Sequence, residues 1–248
     1  MSAAENIRAV LLDLDDTLFD HQHCAREALL GVRGLHDGLA GLDPPALESA
    51  HSKILEELHL EVLAGRLKLD AARVERFRRL YLAAGVEADG ALVSQTAESY
   101  RTRYIQARKP IEGAAAFLEA IRARAKVVIV SNNLLHEQQE KLRGCGLDRY
   151  VDVLVVSEDV GFSKPHPRIF EIALERAGVR PSESVMVGDS WTNDVQGARA
   201  LGIRAVWFNR NGRPAPDPDV PVLRSLQISP ETWLMIFGEP EPATRVRA

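Results

Sequence analysis

The sequence predicts an α/β fold, a Rossmann-like parallel sheet with helices on both faces, plus an inserted α-helical domain. Three observations predict it. Short apolar runs of strand length recur along the chain, stretches of helical periodicity separate them, and the alternation lapses over one long segment that carries helical patterns and no convincing strand.

Residues 8–14 (RAVLLDL) are an apolar run ending in acids, the pattern of a buried parallel strand feeding a loop. Residues 126–130 (KVVIV), 151–156 (VDVLVV), 184–187 (SVMV) and 205–208 (AVWF) repeat it. Helical periodicity fills 113–124, 137–143, 167–177 and 194–201. Residues 20–108 break the alternation with helical patterns at 25–32, 45–63, 70–84 and 91–107. The junctions fall at Phe19 and Asp20 on one side and at Lys109 and Pro110 on the other, where Pro110 removes a backbone donor. The expected domains are therefore 1–19 with 109–248, and 20–108 between them. After Asn209 comes a proline-rich stretch (RPAPDPDVP), a short apolar segment at 222–228 and a last helix at 230–237.

Composition narrows the class. Of 248 residues, 46% are hydrophobic and 27% charged, values that fit a folded soluble protein rather than a disordered chain or a membrane bundle. Lys and Arg number 31 against 35 Asp and Glu, a balance that argues against binding a nucleic-acid polymer by bulk charge. Cys24 and Cys145 lie far apart without metal-ligand spacing, which suits reduced thiols. The N-terminus turns acidic where a leader would be apolar, and no run of about 18 apolar residues occurs, so no membrane partner and a cytoplasmic location are expected.

Four loops at expected strand ends carry the chemistry. Asp13-Leu14-Asp15-Asp16-Thr17 crowds carboxylates where open α/β sheets place their ligand crevice. Such a cluster suits a hard cation such as Mg²⁺, and equally a solvated acidic turn. Gly188 to Asp194 (GDSWTND) brings Asp189 and Asp194 to the same sheet edge, though Asp194 also suits a helix cap. Ser131-Asn132-Asn133 offers a hydroxyl and helix-start N–H groups for a phosphate oxygen, or caps a helix. Lys164 supplies a cation for a charged substrate, or is an ordinary surface charge.

Taken together and in this order, the motifs DLDDT (Asp13 to Thr17), SN (Ser131, Asn132), Lys164 with Pro165, and GDSWTND (Gly188 to Asp194) resemble those of the haloacid dehalogenase (HAD) superfamily of phosphohydrolases, from about Arg8 to Asn209. The resemblance implies that Asp13 is the nucleophile, forming a phosphoaspartyl intermediate, and Asp15 the general acid and base. It implies Mg²⁺ held by the Asp13 carboxylate, the Asp15 backbone carbonyl and Asp189, with Asp194 holding metal waters or Lys164. Ser131, Asn132 and Lys164 would bind the phosphate, and Thr17 would support the nucleophile loop.

The helical insert is similar to the family's C1 cap, which closes over the site and supplies substrate contacts. Arg66, Arg73 and Arg76 are candidates to meet an anionic substrate, although RVERFRR also reads as a solvated helix face. His21 and His23 fall near the cap hinge, and Trp191 either packs under the site or faces the cap. The resulting expectation is a Mg²⁺-dependent phosphatase (a phosphoric monoester hydrolase) acting on a small phosphorylated metabolite such as a nucleotide or sugar phosphate. A phosphomutase shares its nucleophile, acid and metal. A 2-haloacid dehalogenase needs neither acid nor Mg²⁺ and lacks an aspartate at the position of Asp15. A non-catalytic binding protein would have lost one of these residues, and none is lost.

Overall fold

The structure is a computed structural model and describes residues 6–238. Residues 1–5 and 239–248, the outer ends of the expected first and last core segments, lie outside the described residues. Two compact units emerge, one made of the described residues up to Asp20 and from Pro110 onward, the other of His21–Lys109.

The first unit is built on six strands: β1 (Ala9–Leu12), β2 (Lys126–Ser131), β3 (Val153–Val156), β4 (Ser184–Gly188), β5 (Arg204–Phe208) and β6 (Val222–Leu223). All neighbours are parallel, in the order β3-β2-β1-β4-β5-β6. Both faces of the central strands are covered. Ala9, Leu11, Val128, Val130, Met186 and Trp207 enter one apolar cluster, while the alternate residues Val10, Leu12, Val127, Ile129, Val185 and Val187 are equally buried. A strand buried on both sides reads as a continuous apolar run, which is why these segments were legible.

The covering helices follow their local signals. Pro167–Ala177 starts with Pro167 preorganised for the first turn, its first N–H groups met by the His166 ring at Arg168, and stops at Gly178, whose φ of 68° is left-handed. Pro230–Phe237 is capped by Ser229, whose hydroxyl accepts from the Thr232 N–H. The expected helix at 194–201 is different: Trp191–Gln196 is a wide π-type turn and only Gly197–Arg199 is α-helical. The cause is Asp194, whose Oδ2 accepts from the Ser190 N–H at 2.9 Å and Oδ1 from Lys164, so the backbone widens to keep this side chain pointed inward.

The second unit is all-helical: His21–Arg33, Asp37–Ala40, Pro44–Leu63, Leu69–Ala83 and Gly90–Gln106. Leu29, Leu58, Phe77, Leu80, Val93 and Tyr100 fill its interior, and Tyr81 Oη meets Thr96 Oγ1 at 2.8 Å. Among the described residues, no helix is long and apolar enough to cross a membrane.

Candidate active site

From β1 the chain moves to β2 and β3 on one side, then returns to β4 and β5 on the other. The carboxyl ends of β1 and β4 therefore flank a topological switch point, where such sheets open a crevice. Asp13 leaves β1 there, its N–H donating to the Val187 carbonyl of β4 at 3.1 Å. The next residues curl around one atom: Thr17, Leu18 and Phe19 all donate their N–H groups to the Leu14 carbonyl. The turn needs a left-handed residue at Asp16, φ 62°, a conformation aspartate tolerates better than most side chains. Arg210 secures it, its Nη2 lying 3.2 Å from Asp16 Oδ1 and 2.8 Å from Asp20 Oδ1.

Four loops deliver the side chains named from the sequence. Lys164, buried in the loop that follows β3 and the short helix Ser157–Val160, donates from Nζ to Asp13 Oδ1 at 2.7 Å and to Asp194 Oδ1 at 2.6 Å. Burial opposes its ammonium, but the two carboxylates outweigh that and hold its pKa above the ordinary lysine value. Thr17 Oγ1 donates to Asp13 Oδ2 at 3.0 Å and accepts the Asp189 N–H at 3.1 Å, tying the two acid loops together. Thr17 thus braces Asp13. Gly188 is obligatory beside them, because a Cβ there would sit 2.7 Å from Asp194 Cβ.

Asp13, Asp189 and Asp194 each offer a carboxylate oxygen within 4.8 Å of one another. Burial, followed by the charges of its neighbours Asp13 and Asp194, pushes the Asp189 carboxyl up, and burial does the same to Asp13 against the pull of Lys164. Lys164 and Arg213, whose Nη2 lies 3.9 Å from Asp189 Oδ2, are two cations against three acids. An all-oxygen donor set with surplus negative charge fits a hard divalent cation, and Asp13 with Asp189 has the oxygens to hold it.

Asp15, Ser131 and Asn132 show engagements the sequence did not reveal. The Asp15 carboxylate accepts from Lys141 Nζ at 2.6 and 2.8 Å, from Gln138 Nε2 at 2.9 Å and from Asn133 Nδ2 at 3.2 Å. Gln138 also donates to Ser131 Oγ at 2.6 Å. The Asn132 side chain, expected on phosphate, is instead bonded to the Lys164 backbone through both its amide nitrogen and oxygen, fixing the lysine loop. Trp191 packs edge-on against Trp207 at 5.3 Å, and Trp207 Nε1 in turn donates to the Asp189 carbonyl at 2.9 Å. Lys141, Gln138 and Arg210 were missed. The available signal was Gln138 and Lys141 three apart on the helix Leu135–Gly144, a spacing that shares one face.

A doubly covered parallel sheet with an acid-and-lysine cluster at its switch point defines a class, the hydrolases of the haloacid dehalogenase type. The chain belongs to the haloacid dehalogenase-like hydrolase family, whose profile matches residues 7–202. It is 35% identical over 241 residues to a phosphoserine phosphatase of Thermus thermophilus, covering 88% of this chain and 95% of that protein. The magnesium-bound crystal structure of the HAD-hydrolase YfnB from Bacillus subtilis superposes with a TM-score of 0.69 at 28% identity, over 90% of this chain and 96% of that one. A 2-haloacid dehalogenase from Pseudomonas syringae superposes with a TM-score of 0.59 at 25% identity, over 89% and 95% of the two chains.

Proposed function

We propose that this enzyme, a HAD-like phosphoric monoester hydrolase, is a Mg²⁺-dependent phosphatase that works through a phosphoaspartyl intermediate on a small phosphorylated metabolite. The observation that carries the reading is the buried Lys164 shared between Asp13 and Asp194, with Asp189 beside them and Asp15 two residues beyond Asp13. The 2-haloacid dehalogenase reading has no use for the acid at position 15 or for the surplus carboxylates. The phosphatase reading uses both.

In this mechanism an Asp13 carboxylate oxygen attacks phosphorus, an Asp13–phosphorus bond forms, and the ester bond to the alcohol breaks. Asp15, whose two oxygens accept from Lys141 in the resting chain, takes up the proton that a phosphate monoanion brings with it and passes that proton to the departing oxygen. Water then attacks the phosphoaspartate at phosphorus, losing a proton to Asp15, and phosphate leaves as Asp13 is regenerated. Lys164 holds Asp13 oriented and neutralises part of the charge that gathers on the phosphoryl oxygens. When bound by Asp13, Asp189 and the Asp15 carbonyl, Mg²⁺ supplies positive charge that lets an anionic nucleophile approach an anionic phosphate. The Ser131 hydroxyl and the backbone at Asn132 serve the phosphate oxygens, Asn132's side chain being committed to the lysine loop. The helical unit acts as the cap that admits substrate and excludes water. The reading places the enzyme in the cytoplasm, as the sequence leads one to expect.

Asp15→Asn tests the reading, because the amide keeps the backbone carbonyl and removes the proton. Formation of the phosphoenzyme slows by a factor on the order of 10² to 10⁴ for alkyl phosphates and by much less for nitrophenyl phosphate. Equal slowing for both leaving groups in single-turnover kinetics would overturn the assignment of the acid.

A further inference from the structure

Gln138, on the helix Leu135–Gly144, is fully buried, and its side-chain amide is used in one direction only. Nε2 donates to Asp15 Oδ2 at 2.9 Å and to Ser131 Oγ at 2.6 Å, so both of its protons are spent. Oε1 is buried as well and has no hydrogen-bond partner among the described residues. Buried polar atoms are almost always paired, so a bare amide oxygen marks a group held against its own satisfaction. Turned over, the amide would bring Oε1 to Ser131, whose hydroxyl would then donate to it.

Asp15 prevents that turn. Its two oxygens take Lys141 Nζ at 2.6 and 2.8 Å, the company of an ionised acid, and an ionised carboxylate only accepts. An amide oxygen in place of the nitrogen beside Oδ2 would set lone pair against lone pair. Nε2 therefore faces Asp15, and the same atom faces Ser131. An amide nitrogen does not accept, so Ser131 Oγ is the acceptor in its bond with Gln138 and its own proton points elsewhere. Among the described residues nothing takes that proton. Ser131 is the last residue of β2, at the edge of the sheet where Asp13 leaves the neighbouring β1.

We propose that Gln138 is a positioning residue: oriented by the Asp15 carboxylate, it holds the Ser131 hydroxyl as a standing hydrogen-bond donor to a phosphoryl oxygen. A donor set before the substrate arrives costs no reorientation during binding or reaction, and the phosphoryl oxygen supplies the acceptor that the serine proton lacks. Lys141 grips Asp15 with two prongs and Gln138 with one, so loss of Gln138 is felt at the phosphate more than at the leaving group. The use made of the donor rests on the phosphatase reading, and the direction of the hydrogen bonds does not.

Two measurements on the full chain test it. In the first, inorganic phosphate is titrated calorimetrically into the protein in excess Mg²⁺, alongside steady-state kinetics. Gln138→Met, which keeps the side chain's length and removes its donors, weakens phosphate binding and raises KM on the order of tenfold. The ratio of kcat for alkyl to nitrophenyl phosphates stays within about twofold of wild type. In a Ser131→Ala background the same substitution changes phosphate affinity no further, because Gln138 acts through that hydroxyl. Unchanged affinity in a folded Gln138→Met, losses that add in the double variant, or a wild type that binds no phosphate would each overturn the role. In the second, which leaves Gln138 in place, its two Nε2 protons are followed by NMR in the isotope-labelled chain. Ser131→Ala moves one of them upfield and spares the other, which stays on Asp15. Two unmoved protons overturn the assignment even where Gln138→Met does not fold. Phosphate binding that depends on Gln138 in a protein that hydrolyses no phosphomonoester would keep the positioning role and sink the phosphatase reading alone.

Discussion

Lys141 and Asp15, 126 positions apart, form a two-pronged ion pair in which Nζ lies 2.6 Å from Oδ1 and 2.8 Å from Oδ2. The lysine side chain is 5% exposed and the aspartate 25%, so the pair sits at the edge of the buried site, where water still reaches the acid. Gln138 completes the grip and links it to Ser131. The arrangement holds the Asp15 side chain in one place in the resting enzyme.

Lys141→Met removes the cation that grips the Asp15 carboxylate with two prongs. Loss of one member of a largely buried pair costs about 1–3 kcal/mol, so the variant unfolds at lower denaturant. Its kcat falls more for alkyl than for nitrophenyl phosphates while KM changes little, because Asp15 is the group that loses its anchor. Chemical denaturation with parallel steady-state kinetics measures both effects.

Asp13→Asn lowers kcat on the order of 10³-fold or more, since an amide does not form the acyl phosphate. The fold tolerates it. Lys164 keeps its bond to Asp194, and one of the crowded charges disappears. Phosphate release and a melting curve from one preparation decide the matter; turnover within tenfold of wild type would remove Asp13 from the mechanism.

Metal removal acts on stability as well as activity. Asp13 and Asp189 have raised pKa values in the folded chain, so between the ordinary carboxylate range and those higher values the native state binds more protons than the unfolded one. Stability of the metal-free protein therefore falls as pH rises across that window. Mg²⁺ opposes the fall, adding about 2.7 kcal/mol at a hundredfold excess over Kd. Asp189→Asn flattens the pH dependence in EDTA and abolishes the Mg²⁺-induced rise in Tm. Thermal scans from pH 5 to 8, with EDTA or with Mg²⁺, read both signs.

Gly188→Ala places a Cβ against the backbone-proximal part of Asp194, which is fully buried and has no room to retreat. Relief requires moving Asp194 away from Lys164 and the Ser190 N–H. A cost of about 1–3 kcal/mol follows, together with a loss of activity larger than the loss of stability explains. Ala198→Gly, in the nearby helix Gly197–Arg199, serves as a control that weakens packing without touching these carboxylates.

Much of the site was legible because covalent neighbours placed it. Asp13 follows directly on a strand buried on both faces, and Asp189 on another, so finding the strands located the acids to within a residue. The helical stretch expected at 194–201 starts earlier, at Trp191, and winds as a π-type turn before Gly197–Arg199, because periodicity reports which face is apolar and not how the first turn is wound. Asn132 was assigned to phosphate because its motif position is local information, whereas its bonds to the Lys164 backbone join residues 32 apart.

By itself the sequence determined the parallel α/β architecture, the helical insertion after β1, and which loops carry carboxylates, hydroxyls and lysine to one edge of the sheet. These follow from hydrophobic period and from chain continuity, both local. The tertiary structure alone decided how charge is distributed among the charged groups: Lys164 on Asp13 and Asp194, Lys141 on Asp15, Arg210 on Asp16 and Asp20, and Arg76 with no carboxylate partner among the described residues. Arg73, Arg76 and Arg79 are alike in a string of letters. What separates them is what each guanidinium meets, a carboxylate for Arg73 and Arg79 and the rings of Phe77 and Tyr100 for Arg76, which is a property of the packed molecule.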